Sequence, residues 1–292
     1  MANGFLRAAA TKVVVLYPSG KVSEIQEKQF TTLSQNVTAL EVDGTFDDCQ
    51  RLVKQAFLDQ ELKKKYFLTS ANSINIARLI PQTFYYFYAY SRLPSKTNPV
   101  VFSVPSGNFG NLTGGLLAKK MGLPIQKFIA STNINDVVPE YLSSKSFNPR
   151  PSKQTISNAM DVGNPSNFVR MLDLFHGDFE SLSNEIVGYA FTDEETQHAM
   201  RDVFSRTNYV MDPHGAVAYL GLKKFLRSGD ANAYGIFAET AHPAKFKEVV
   251  DKTLNISIPI PDELQKFLKN KKRSIPLNKS FEDFKGFLNQ NF

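Results

Sequence analysis

The chain has 292 residues, 42% of them hydrophobic and 21% charged, with 16 Gly and 15 Pro. That length suits one large or two medium domains with a real core, and the composition excludes a disordered tail, a collagen-like fibre and a disulfide scaffold. Lys and Arg number 34 against 28 Asp and Glu, a balance of +6 that is spread along the chain except at 269–273. Such a pattern argues for a solvated basic face or a phosphate-accepting site rather than a nucleic-acid footprint.

The elements read in chain order as an α/β protein: short apolar runs alternate with amphipathic segments, the pattern of largely parallel, doubly wound sheets with helices on both faces. Residues 12–17 read as a buried strand ended by Pro18-Ser19-Gly20, 23–33 as a helix and 37–42 as a second strand. Thr45-Phe46-Asp47-Asp48 fits a capping box, opening a helix that carries Leu52, Val53, Ala56 and Phe57 on one face. Residues 1–68 are therefore expected to form a small α/β domain, and 69–292 a larger one with a C-terminal tail. In the larger domain, 73–90 reads as one long helix bent at Pro81. Strand 99–104, helix 111–121 and strand 125–130 follow. The segment 143–168 is a long loop rich in Ser, Asn and Pro, of a length that is often functional. Thr192 to Glu195 forms another capping box, and Asp212-Pro213 opens a helix that ends near Gly229. Residues 234–238 read as a late strand, with a helix running to about 254. No internal repeat is visible.

Cys49 is the only cysteine and the four histidines lie far apart, so neither a disulfide nor a metal site is expected. No apolar run has the length of a membrane span, and the first residues lack the basic head and apolar core of a secretory signal. A cytoplasmic protein without a membrane partner is expected.

The richest chemistry lies in Val104-Pro105-Ser106-Gly107-Asn108-Phe109-Gly110-Asn111, a strand running through a glycine turn into a helix. Glycines let the backbone aim several amides at one point, and the helix start adds unpaired N–H groups and a positive dipole end, so an anion is stabilised there. Asn108 and Asn111 can add side-chain donors. An ordinary strand-to-helix turn, with Gly and Asn meeting special backbone angles, is the competing reading. A second constellation, Glu239-Thr240-Ala241-His242-Pro243-Ala244-Lys245-Phe246, follows a strand at the end where open α/β sheets bind ligands. His242 could be a general base or a structural donor, and Thr240 could be a helix cap. A third gathers Asn72, Ser73, Asn75 and Arg78, where a capped helix with a surface Arg is the simpler reading. Ser157-Asn158-Ala159-Met160-Asp161-Val162-Gly163 carries no chemistry that can be read alone.

Ala2-Asn3-Gly4-Phe5, with Val15-Leu16-Tyr17-Pro18 and Gly20-Lys21-Val22-Ser23, resembles pyridoxal-phosphate enzymes of the tryptophan synthase β-subunit superfamily. Ser106 to Asn111, Thr132-Asn133-Ile134-Asn135-Asp136, Ser157 to Gly163 and Thr240 to Phe246 together resemble the threonine synthases. The likeness runs in unbroken order from residue 2 to about 250, and the last forty residues match less clearly. It implies the fold of that superfamily, incomplete here. It also implies conversion of O-phospho-L-homoserine and water to L-threonine and phosphate by elimination and hydration on pyridoxal 5'-phosphate. On this resemblance Gly107, Asn108, Phe109, Gly110 and Asn111 hold the cofactor phosphate, and Thr240 bonds to the pyridine nitrogen. Asn72, Ser73 and Arg78 meet the substrate's phosphate or carboxylate, and Ser157, Asn158 and Asp161 close over it.

One departure stands out. The family's Schiff-base lysine lies in an N-terminal segment that nothing here matches, so no catalytic residue is expected in this chain and the lysine is expected upstream of Met1. Lys119 and Lys120 most simply face solvent. An inactive fragment that pairs with a complementing N-terminal segment is therefore expected. The alternatives are a serine or threonine dehydratase of the same fold, a non-catalytic phosphate-binding remnant, or half of a split enzyme.

Overall fold

The computed structural model describes residues 2–228 and 232–292. Met1 and Gly229, where the sequence ends one helix, lie outside the described residues. Two compact units emerge: residues 1–70 with 259–292, and residues 71–258.

The first unit opens with β1 (Val13–Pro18), α1 (Glu24–Thr31), β2 (Val37–Asp43), α2 (Phe46–Leu58) and α3 (Gln60–Lys65). Capping boxes start both longer helices: Ser23 with Gln26 before α1, and Thr45 with Asp48 before α2. Each satisfies two amides that a helix start leaves unpaired. The α2 stripe buries Leu52 and Ala56, which pack with Leu40, Val42 and Leu62.

The second unit contains α4 (Ile80–Ser91), β3 (Val100–Pro105), α5 (Gly110–Lys120), β4 (Lys127–Thr132), α6 (Val137–Ser144), α7 (Phe168–Leu174) and α8 (Phe179–Glu185). It continues through β5 (Ile186–Ala190), α9 (Asp193–Thr207), α10 (Pro213–Arg227), β6 (Tyr234–Phe237) and α11 (Lys247–Leu254). Its sheet runs β5-β4-β3-β6, and every pairing is parallel. All six residues of β3 are buried, as a strand covered on both faces requires. Phe102, Val104, Phe128 and Ala130 pack with Leu112 and Leu116 of α5, whereas Val101 and Ile129 face Leu222 of α10. Fully burying each such large apolar side chain contributes roughly 1.5–3 kcal/mol.

The chain then returns to the first unit through α12 (Asp262–Leu268), β7 (Ile275–Asn278) and α13 (Phe281–Asn291). β7 pairs in parallel with β2, and Phe284 and Leu288 join the core around Leu52. The tail expected on the larger domain thus completes the smaller one, because β2 would otherwise be an open edge. In the basic run Lys271 and Arg273 are exposed, as expected of a solvated face, whereas Lys272 is half-buried. Lys272 bridges Glu27 and Glu41, and Arg273 N–H donates to Thr31 O.

The single helix expected over 73–90 is not formed. A short 3-10 turn at Ile76–Arg78 precedes α4, which begins at Ile80 with Pro81 in its first turn. There a missing N–H costs nothing, so no bend is needed. Residues 145–167 form the long loop, with one 3-10 turn at Asn158–Met160. No described helix is long and apolar enough to cross a membrane.

Candidate active site at the carboxyl ends of β3 and β6

β3 delivers the chain into the glycine turn. Ser106 N–H donates to Ser131 O at 2.8 Å, and Ser106 Oγ donates to Val104 O at 2.9 Å, so the turn is fastened to β4 and to its own strand. A Cβ on Gly107 would lie 2.6 Å from Met160 Cα, so only glycine lets the 159–160 backbone approach. Phe109 is buried in the left-handed region at φ 59, and its carbonyl accepts from Thr113 N–H at 2.9 Å and from Thr113 Oγ at 2.7 Å. The α5 helix starts at Gly110 with no side-chain cap. Among the described residues, the backbone amides of 107–111 donate to no protein acceptor. A group of free amides at an uncapped helix start fits a phosphate.

The two asparagines brace this turn instead of lending it free donors. Asn111 Nδ2 donates to Pro105 O at 2.7 Å, and its Oδ1 accepts from Leu112 N–H at 2.9 Å. Asn108 Nδ2 donates to Ser73 Oγ at 2.8 Å, while its Oδ1 accepts from Ser166 N–H and Oγ. Both side chains act by fixing where the amides point.

Ser73 therefore lies against the turn, and a Cβ on Gly110 would sit 3.1 Å from Ser73 Cβ. Asn72 Oδ1 accepts from Ser73 N–H and Oγ. Arg170, which sequence reasoning missed, donates to the carbonyls of Ser73 and Ile74 and to Asn167 Oδ1. No local pattern marks it, because the carbonyls it meets, of Ser73 and Ile74, lie nearly a hundred residues away. Arg78 differs: its Nε is buried and meets no partner among the described residues, as suits a cation held for an anionic ligand.

The loop residues divide. Ser157 is buried, and Asp161 accepts from Thr155 N–H, Thr155 Oγ, Asn133 Nδ2 and Asn135 Nδ2. Burial raises the Asp161 carboxyl despite these donors. Ser157 and Asp161 thus build the loop, while the half-buried Asn158 keeps its side chain free of protein partners among the described residues.

β6 ends beside β3: Ala238 N–H donates to Ser103 O at 3.0 Å. The exposed Thr240 hydroxyl makes no hydrogen bond among the described residues. His242 Nδ1 accepts from Ala244 N–H at 3.1 Å, capping a 3-10 turn, so this nitrogen serves the local structure. Lys119 pairs with Glu185 and Lys120 covers the Phe175 ring, both at the far end of α5.

Residues 4–234 match the family model of pyridoxal-phosphate dependent enzymes, and residues 215–288 match that of the threonine synthase C-terminal region. Threonine synthase from Escherichia coli is 50% identical over 266 residues, which cover 90% of this chain and 61% of that protein. Its crystal structure superposes with a TM-score of 0.92 at 45% identity, covering 100% of this chain and 67% of that one. The pyridoxal-phosphate-bound threonine synthase from Brucella melitensis superposes at 0.85 with 32% identity, covering 99% and 67%. The chain therefore spans about two thirds of the length of these relatives. On these matches the chain belongs to the pyridoxal-phosphate dependent enzyme family, among its threonine synthases.

Proposed function

We propose that this chain provides the cofactor-phosphate seat and the substrate-facing loops of an enzyme that turns O-phospho-L-homoserine and water into L-threonine and phosphate in the cytoplasm. The unpaired amides of 107–111 at the start of α5 carry the reading. Pyridoxal phosphate, when bound, supplies the electron sink that such an elimination and hydration need.

The chain's own residues orient and neutralise. Gly107, Asn108, Phe109, Gly110 and Asn111 direct their amides at the cofactor phosphate, and the α5 dipole favours its charge. Thr240 offers a neutral hydroxyl to the ring nitrogen, which leaves that nitrogen unprotonated, unlike a carboxylate partner. Arg78, with its unpaired Nε, meets the substrate's phosphate or carboxylate. Asn72 and Ser73 orient the same group from beside the turn, and Asn158 faces the substrate from the loop that Ser157 and Asp161 hold in shape.

A complementing N-terminal segment would bring the Schiff-base lysine. An apolar stripe on the second unit supports such a partner: on α4, Ile80 is 53% exposed, Phe84 63% and Tyr88 63%, at steps of four residues. A contiguous apolar face of this kind marks an interaction surface. The test is phosphate release from O-phospho-L-homoserine by this chain with pyridoxal phosphate, alone and with the N-terminal third of a relative. Release only from the pair is expected. Release from the chain alone overturns the complementation, and release from neither overturns the proposed activity.

A further inference from the structure

Three buried carboxylate oxygens have no hydrogen-bond partner among the described residues: Asp212 Oδ2, Glu239 Oε1 and Glu239 Oε2. Glu239 immediately precedes Thr240, and Asp212 caps α10 by accepting from His214 N–H at 2.8 Å. The Glu239 carboxyl packs on the first turn of α10, where a Cβ on Gly215 would lie 2.2 Å from it. Two ionised carboxylates cannot share such a space, and an unpaired buried charge is costlier than any neighbouring bond repays.

The hydrogen bonds around the pair decide where a proton sits. His214 Nε2 accepts from Ala159 N–H at 3.2 Å, so the imidazole proton is on Nδ1, which donates to Asp212 Oδ1 at 2.7 Å. Asp212 Oδ1 thus receives two donors and sits at a helix start, where a negative charge is favoured. Its Oδ2 lacks only a donor. Glu239 is the group beside it that can become one.

We propose that Glu239 is a positioning residue: it stays protonated and donates its carboxyl proton to Asp212 Oδ2. The chain Glu239–Asp212–His214–Ala159 then joins the strand end that carries Thr240 to the 159–160 backbone on which Gly107 packs. Both halves of the cofactor seat, the ring-nitrogen partner and the phosphate turn, are braced through one shared proton. Burial, reinforced by Asp212, pushes the Glu239 carboxyl far above the usual carboxylate range. Burial works against charge on Asp212 too, but hydrogen bonds from His214 and Glu239 outweigh it and hold Asp212 low. Among the described residues, the other ionisable groups facing the pair are His214 itself, whose ring is tilted against Phe246 with centroids 4.5 Å apart, and Tyr209, whose phenol burial and the Asp212 charge push up.

The role in catalysis rests on the proposed function, whereas the shared proton does not, and two measurements separate them. In the first, the whole chain is labelled with carboxyl-13C glutamate and followed by NMR. One side-chain resonance should hold its protonated position at neutral pH and disappear in Glu239→Gln. An ionised Glu239 at neutral pH overturns the shared proton, whatever the reaction proves to be. In the second, pyridoxal phosphate is titrated into the variants. Glu239→Gln, a neutral donor of similar shape, should bind like the parent, whereas Glu239→Ala should bind about tenfold more weakly, the effect of one buried group left unsatisfied. Equal losses in the two variants overturn the positioning role. Should Glu239→Ala fail to fold, Asp212→Asn replaces it: with the accepting carboxylate gone, cofactor affinity should fall, and an unchanged affinity overturns the positioning role.

Discussion

Asn108 Oδ1 accepts the backbone N–H of Ser166 at 2.7 Å, across 58 residues of sequence. With Asn108 Nδ2 on Ser73 Oγ, one side chain ties the glycine turn to the segment before α4 and to the segment before α7. The geometry of the amides that would receive a phosphate is therefore set by a residue that need not touch the phosphate.

Asn108→Ala should lose these ties while leaving every amide in place. Stability is expected to fall by about 1–3 kcal/mol, the cost of leaving buried donors and acceptors unpaired. Pyridoxal phosphate affinity should fall as the turn loosens. A thermal scan and a cofactor titration on the same sample check both. A stable variant with unchanged affinity would show that the turn holds its shape without Asn108.

Gly107→Ala tests the opposite kind of change. The added methyl would lie 2.6 Å from Met160 Cα and 3.1 Å from Ala159 O. Backbone cannot rotate away as a side chain can, so overpacking should cost about 1–3 kcal/mol. Cofactor binding should weaken with it, because the 159–160 backbone is displaced along with the turn.

The turn was legible in the sequence because its signal is local: a buried strand, two glycines and a helix within twelve residues. The parallel sheets were legible for the same reason, since β3 is an apolar run broken by Ser103 and two capping boxes announce their helices. β7 was not, because Ile275–Asn278 is short, contains Pro276 and is mostly exposed; only its pairing with β2 makes it a strand. Pro81 misled because a proline reads alike in a helix bend and in a first turn until the helix start is known. Arg170 and the Glu239–Asp212 pair escaped since each depends on partners far along the chain.

Acid should loosen the first unit through Glu41. Lys272 lies 2.8 Å from Glu41, and Tyr17 and Ser274 hydroxyls donate to the same oxygen. The Lys272 ammonium pulls the Glu41 carboxyl down from 4.5 to about 2, against the effect of burial. A depressed carboxylate contributes stability that is complete above its unfolded value and lost as pH falls towards the folded one. The thermal midpoint should therefore drop between pH 4.5 and about 2, and Lys272→Met should flatten that slope. An unchanged slope in the variant would mean that other carboxylates dominate acid unfolding.

Thr240 presents a hydroxyl that makes no native hydrogen bond among the described residues and sits exposed at the end of β6. Removing it breaks nothing in the free chain, so Thr240→Ala should shift stability by no more than about 0.5 kcal/mol. On the proposed reading the 107–111 amides hold the cofactor phosphate, so affinity should change little. Turnover should differ, since the proposed bond to the ring nitrogen would be felt where the electrons move. In the assembled enzyme, phosphate release from O-phospho-L-homoserine should fall at least about tenfold, as one preorganised hydrogen bond at a reacting centre is lost. Thr240→Ser keeps the hydroxyl on the same backbone and should retain most of the rate. If serine proves as slow as alanine, the hydroxyl is not the working group, and the methyl of Thr240 must matter through packing.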